Sequence, residues 1–220
     1  MTERIIVGPS HTNAYIYSIS KKECILIDPG ADPELLIKKL EAINMRPRAI
    51  VFTHGYIDHI SATVRLMQAF EEYELDIQVG IHADDQHLLG ENGYSVQEKL
   101  LRESGNSQLF DELKTRLPEA NFTFEDGDKI MDTNLTVIHT PGRSRGSVCL
   151  YEETQQLVFT GDTLMFKTIG NTNLPEADHE QLINSVKTQL FCLPPETIVF
   201  PGHGPQTTIE REKRNSPVFR

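Results

Sequence analysis

"FTHGYIDHIS", residues 52–61, runs on directly from the apolar stretch Ala49–Val51. His54, Asp58 and His59 fall within it, so imidazole and carboxylate donors crowd the end of a short buried strand. Those donor types in that density suit zinc, iron or manganese. The stretch reads as a metal-binding loop at the rim of a sheet, and the question is whether the rest of the chain supplies partners for it.

It does so by repetition. Apolar strands run straight into short polar clusters four times: "AIVFTHGYIDH" (49–59), "LTVIHTPGRSRGS" (135–147), "LVFTGDT" (157–163) and "IVFPGHG" (198–204). Loops at neighbouring strand ends share one rim, where rigid elements position functional side chains. His54, Asp58, His59, His139, Arg143, Asp162 and His203 are therefore expected to converge. Glycine in "TGDT" and "PGHG" permits a tight turn beside the ligand.

Between these clusters the pattern alternates strands with helices. Strands are expected at 14–19, 23–27, 48–52, 76–81, 121–124, 134–139, 147–151, 157–160 and 197–200. Asp32-Pro33 reads as an N-cap followed by proline at the first helical position. A helix is expected over 61–73, another from an Asp178 cap to about Leu190, and a short terminal one over 206–214. Residues 84–117 read as a helical insertion broken near Gly93. This order fits two sheets covered by helices better than one doubly wound parallel sheet.

With 220 residues, 38% hydrophobic and 24% charged, the chain suits one domain of ordinary size, residues 1–220, with a substantial core. No apolar run approaches the roughly 18 residues of a membrane span, and the N-terminus lacks a basic-then-apolar leader. The formal net charge of −11 opposes binding to nucleic acid. Three cysteines, Cys24, Cys149 and Cys192, stand far apart with no CxxC. They are expected as small core residues, in keeping with a cytoplasmic location.

The ordered motifs "THGYIDH" (53–59), "HTPGR" (139–143), "GDT" (161–163) and "PGHG" (201–204) resemble those of the metallo-β-lactamase fold. Together with "NAYIY", "LIDPG", "GDTLMFKTIGNTNLP" and "GHGPQTTIEREKRNSP", the resemblance covers nearly the whole chain. It is nearest to the short glyoxalase II-like hydrolases, which act on thioesters such as acyl-glutathione. It implies an α/β (α+β) fold, a four-layer αββα sandwich of two mixed β-sheets flanked by helices. It also implies two metal positions. The first would use His54, residue 56 and residue 143; the second would use Asp58, His59 and His203; Asp162 would bridge them. Here residue 56 is tyrosine and residue 143 is arginine. The resemblance leaves His139 outside the ligand set. Asn171 and Asn173 also replace the arginine and aspartate common in relatives.

Arginine has no lone pair to offer a cation, and tyrosine ligates only as phenolate, against a reference pKa near 10. One divalent ion is therefore expected, on Asp58, His59, Asp162 and His203, with His54 as a further donor. Arg143 would put positive charge where the first metal is missing. Two functions remain open. In the first, a mononuclear hydrolase cleaves a small-molecule acyl thioester, with Asp58 and Asp162 positioning water and Arg143 or the Tyr56 hydroxyl stabilising the oxyanion. In the second, the same fold is catalytically degenerate and binds a metal or an anionic ligand through the Arg143 fork.

Overall fold

Alternation along each strand decides which layer its side chains enter. The computed structural model describes residues 1–71, 73 and 75–220. Strands β1 (Thr2–Val7), β2 (Thr12–Ser18), β3 (Glu23–Ile27), β4 (Arg46–Val51), β5 (Gln78–His82) and β6 (Phe122–Phe124) form one sheet in sequential order. The pairings β1–β2 and β2–β3 are antiparallel, and those from β3 to β6 are parallel. The second sheet runs β11 (Thr207–Thr208), β10 (Ile198–Pro201), β9 (Leu157–Gly161), β8 (Val148–Glu152), β7 (Leu135–His139), with only β9–β10 parallel.

On β3, Ile25 and Ile27 face the second sheet, where they meet Val137, Val148, Leu150 and Phe159. The alternate residues Cys24 and Leu26 face outward, against Leu36 and Leu40 of α1 (Pro33–Ala42) and Leu66 and Phe70 of α3 (Thr63–Glu71). On the far side, Cys149 and Val158 pack against Val186 of α6 (His179–Thr188) and Ile209 of α7 (Ile209–Asn215). The layers are helix, sheet, sheet, helix, the αββα sandwich of two mixed sheets that the motifs imply.

Several local expectations change. Asp32 does not cap α1: it sits at φ 51° with no capping hydrogen bond, and its carboxylate accepts from Gly8 N at 2.8 Å. The helix expected over 61–73 is α3, residue 72 of that span lying outside the described residues, and a single turn α2 (Ile57–Ile60) precedes it. Asp58 lies in the first turn of α2. In the 84–117 region, a 3-10 turn at Ala83–Leu88 precedes α4 (Gly90–Glu103) and α5 (Ser107–Leu113). Gly93 does not break α4. A Cβ there would come within 2.5 Å of the Leu88 backbone, so glycine lets the helix press against the turn before it. Cys192 is exposed rather than in the core. Among the described residues no helix is long and apolar enough to cross a membrane.

Candidate metal centre

Each candidate side chain leaves the C-terminal end of a strand. β4 leads into the turn carrying His54 and Tyr56 and then into α2 with Asp58 and His59; β9 leads to Asp162, β10 to His203, and β7 to the loop with Arg143. Backbone bonds join the two sheets here, Val148 N donating to Thr53 O at 2.8 Å and Asn13 N to Gly202 O at 2.7 Å. A Cβ on Gly202 would stand 2.8 Å from both Asp162 Oδ1 and His59 Cε1, so the loop reaches the site only because this residue has none.

The hydrogen-bond partners set the histidine tautomers. His59 Nδ1 donates to Asp28 Oδ2 at 3.0 Å, and His203 Nδ1 donates to the Ser10 carbonyl at 3.0 Å. Each Nε2 is then left as an acceptor, and the two face each other at 3.2 Å. Asp162 Oδ1 lies 3.6 Å from the first and 3.3 Å from the second, buried and without a hydrogen-bond partner. Asp58 Oδ2 is 3.7 Å from His203 Nε2. Four donor atoms gathered this closely could hold a cation between them. Two nitrogens bound to one tetrahedral ion stand roughly 3.3 Å apart, so the spacing fits a divalent metal. The same point also suits a proton shared between the two rings: burial lowers the His59 pKa, but Asp28, Asp162 and Asp58 outweigh it and lift it to about 9.

The other oxygen of Asp162 faces a different set. Arg143 Nε donates to Asp162 Oδ2 at 3.0 Å, and the guanidinium lies 4.2 Å over the Tyr56 ring. The Tyr56 hydroxyl donates to the Arg143 carbonyl oxygen at 3.1 Å. Burial raises the Tyr56 phenol to about 12 despite the nearby Arg143 charge, in keeping with a protonated hydroxyl that donates to Arg143 O. His54 Nε2 is 3.7 Å from the same Asp162 oxygen. Thr53 Oγ1 donates to Asp28 at 2.7 Å and so accepts from His54 Nδ1 at 3.1 Å, which leaves His54 Nε2 as a buried, unpartnered acceptor. Burial, then the neighbouring His59, hold the His54 pKa well below its usual range. Arg143 Nη1 is a buried N–H with no partner. Asp162 itself stays ionised far below the usual carboxylate range: burial opposes this, but His203, His59 and Arg143 prevail.

A family model of the metallo-β-lactamase superfamily matches residues 7–203. The chain belongs to the metallo-β-lactamase superfamily. It is 32% identical to hydroxyacylglutathione hydrolase GloC of Haemophilus influenzae, over 99% of this chain and 97% of that protein. It is 31% identical to the probable metallo-hydrolase YqgX of Bacillus subtilis, over 98% and 96%. Among solved structures, the BLEG-1 B3 metallo-β-lactamase aligns with a TM-score of 0.86 at 34% identity, covering 100% of this chain and 99% of that one. TTHA1623 in a di-iron-bound form aligns at 0.80 and 33%, covering 98% of each.

Within this superfamily fold, two buried carboxylates that sequence reasoning missed hold the site together. Asp28 reads as a turn residue in "LIDPG", yet its carboxylate accepts from Thr53 N at 2.8 Å, from Thr53 Oγ1 and from His59 Nδ1. It ties the start of the loop to α2 and fixes the ring that faces the ion position. Asp28→Ala is expected to weaken metal affinity roughly 10- to 100-fold, the usual cost of losing a carboxylate behind a ligating histidine. Competition with a chromophoric chelator measures it; unchanged affinity would remove Asp28 from this role. Asp85 accepts from Gly55 N at 3.0 Å, Ser144 Oγ at 2.6 Å and Gly146 N at 2.6 Å, and so joins the "THGY" loop to the "PGRSRG" loop. Buried Gln97 of α4 also donates to Gly55 O.

His139 lies outside this cluster. Its ring stacks on His82 with centroids 4.2 Å apart and planes 8° from parallel, and its Nε2 donates to Arg145 O at 2.9 Å. Rings stacked face to face do not aim their nitrogens at a common point, so this pair packs the two sheets' rims together.

Proposed function

We propose that the protein, as a single domain over residues 1–220, is a mononuclear metal-dependent hydrolase of acyl thioesters. Asp58, His59, Asp162 and His203 would hold one divalent ion, zinc by donor chemistry, with iron or manganese also compatible. The observation that carries this is the division of Asp162. One oxygen lies among the lone pairs of His59 and His203, and the other is bonded to Arg143. The guanidinium thus occupies the side where a first metal would sit, with Tyr56 beneath it and His54 left as a spare donor. The thioester reading is favoured by likeness to the GloC hydrolase along nearly its full length.

When bound, such an ion acidifies water and polarises a carbonyl oxygen. The protein's own groups do the rest. Asp58, part-exposed at the cavity floor, accepts a hydrogen bond from the attacking water and orients it. Arg143 Nη1, an N–H without a partner, donates to the substrate carbonyl as its oxygen gains charge. Tyr56 is a positioning residue rather than the oxyanion donor, because its hydrogen is already given to Arg143 O. Water's oxygen bonds to the acyl carbon, the C–S bond breaks, and a proton passes to the departing thiolate.

Arg143 Nη1 would also grip an anion without chemistry, so the degenerate-binder reading has one observation in its favour. Elemental analysis and a thioester assay on the same preparation decide between them. We expect close to one ion per chain and turnover that a chelator abolishes. Two ions or none would overturn the mononuclear reading; one ion with no turnover would favour the binder. The double variant Tyr56→His with Arg143→His restores three imidazoles beside Asp162 and is expected to raise the metal content toward two per chain. Content fixed at one would mean the guanidinium does not stand in a metal's place.

A further inference from the structure

A cavity of about 490 Å³ opens onto Tyr56, Asp58, Arg143, Asp162 and His203. Its size is within the ordinary range for small-molecule pockets. Its walls divide by chemistry. Beyond the ion position they are mostly apolar, Leu101 of α4, Leu109 of α5, and Met165, Phe166, Ile169 and Leu174 of the segment that follows Asp162, with the neutral polar side chains of Asn106, Thr168 and Asn171 among them. Leu101, Met165 and Leu174 are buried although they lie at the edge of a cavity. The one charged side chain in these walls that still offers a buried, unpartnered N–H is Arg143, the group that the proposed reaction assigns to the carbonyl oxygen.

We propose, resting on the thioester hydrolase reading above, that this wall seats the acyl half of the substrate and selects an extended apolar acyl chain. A thioester places one group on each side of its carbonyl carbon. The acyl half can be wholly hydrocarbon, whereas the thiol carriers of metabolism are polar and often anionic. A wall dominated by leucine, isoleucine, methionine and phenylalanine accepts the first, while its one arginine, Arg143, is already paired with Asp162 and so offers the second little counter-charge. The thiol half therefore points outward past His203 and Gly204, which are part-exposed and exposed. The α4–α5 hairpin thereby acquires a purpose, since it supplies the wall opposite the 165–174 segment.

The test uses the metal-loaded protein and acetyl, butanoyl and hexanoyl thioesters of 2-mercaptoethanol. Each buried methylene contributes enough transfer free energy to raise kcat/KM about three- to fourfold, so roughly tenfold is expected for every two methylenes added. Changing the thiol at constant acyl group should produce no comparable slope. Leu109→Asn and Ile169→Asn, made separately, are expected to lower the hexanoyl-to-acetyl ratio within each variant. The same chain series as ketones, with CH₂ in place of sulfur, is titrated by calorimetry and reads the pocket without turnover. A flat or falling acyl series in both assays overturns the proposal. If no thioester is cleaved but ketone affinity climbs with chain length, the hydrolase reading fails and the apolar pocket stands. If thioesters are cleaved with no acyl slope, the pocket inference alone fails.

Discussion

Asp162→Ala is expected to strip the protein of its ion and to lower thioester turnover by about a thousandfold or more. A metal's electrostatic contribution of several kcal/mol translates into a rate factor of about that size. Asp162 is the residue on which both halves of the site depend. Its Oδ1 completes the donor set of His59 and His203, and its Oδ2 holds Arg143. The substitution therefore has a second consequence that most ligand deletions lack. Arg143, only 7% exposed, would keep its charge and lose its carboxylate. Leaving one member of a buried pair uncompensated costs about 3–5 kcal/mol, which for a chain of this length lowers Tm by roughly 6–20 °C. Comparing metal-free wild type with metal-free variant isolates this effect from the loss of ligand-linked stability. Asp162→Asn separates the two consequences further. Its amide oxygen can still accept from Arg143 Nε, so the Tm loss should be smaller, while the ion is still lost. A variant that keeps one ion per chain would remove Asp162 from the site. The pH dependence follows from the direction of the shift. The Asp162 carboxyl is held well below its usual range, against burial, by His203, His59 and Arg143. A depressed carboxyl adds stability that is fully present above its unfolded value, near 3.9. That stability is lost as pH falls through the folded value. Wild type should thus lose this share of its stability only in strong acid, and Asp162→Ala should lack that step.

The convergence of the candidate side chains on one rim was legible in the sequence, and the residues that hold them in place were not. His54, Asp58, His59, Asp162 and His203 each follow an apolar strand within a few positions, and strand ends on one rim must meet. Asp28 and Asp85 carry no such signal. Asp28 bonds Thr53 and His59, 25 and 31 residues on. Asp85 bonds Ser144 and Gly146, 59 and 61 residues on. Locally, one looks like a turn residue and the other like a surface acid before a helix; only tertiary folding buries them. Strand β1 escaped for a related reason. It is an edge strand, and Ile6 is exposed while Arg4 reaches across to Gly204 O, so the alternation is blurred. Asp32 misled because Asp-Pro is a strong capping signature, yet the backbone turns left-handed there and the carboxylate serves Gly8 instead. Part of the cavity's apolar wall, Leu101 and Leu109, was hidden in the region read only as a helical insertion. Its leucines obey helical spacing and look like core, and which of them line a cavity depends on how the 165–174 segment crosses in front.

Arg143→Ala carries the other large effect, and it should separate rate from metal. The residue touches the far side of Asp162 from His59 and His203, so the ion is expected to stay, at close to one per chain. Turnover should fall roughly 100- to 1000-fold, the typical cost of removing an oxyanion donor. The loss should lie in kcat, because charge on the carbonyl oxygen grows only toward the transition state. Arg143→Lys should not rescue it. The ammonium has no planar fork with which to bond Asp162 through one nitrogen and the substrate through another. Tyr56→Phe leaves the ring under the guanidinium and removes only the bond to Arg143 O, so its effect should be a small fraction of the alanine variant's. The pattern discriminates among roles. Metal lost along with Arg143 would make the guanidinium a support for Asp162 rather than a donor to substrate. Turnover unchanged with metal retained would leave Arg143 as a charge that merely fills the place of an absent ion. A kcat effect with metal intact is the result that ties the substituted half of the site to the chemistry of the retained half.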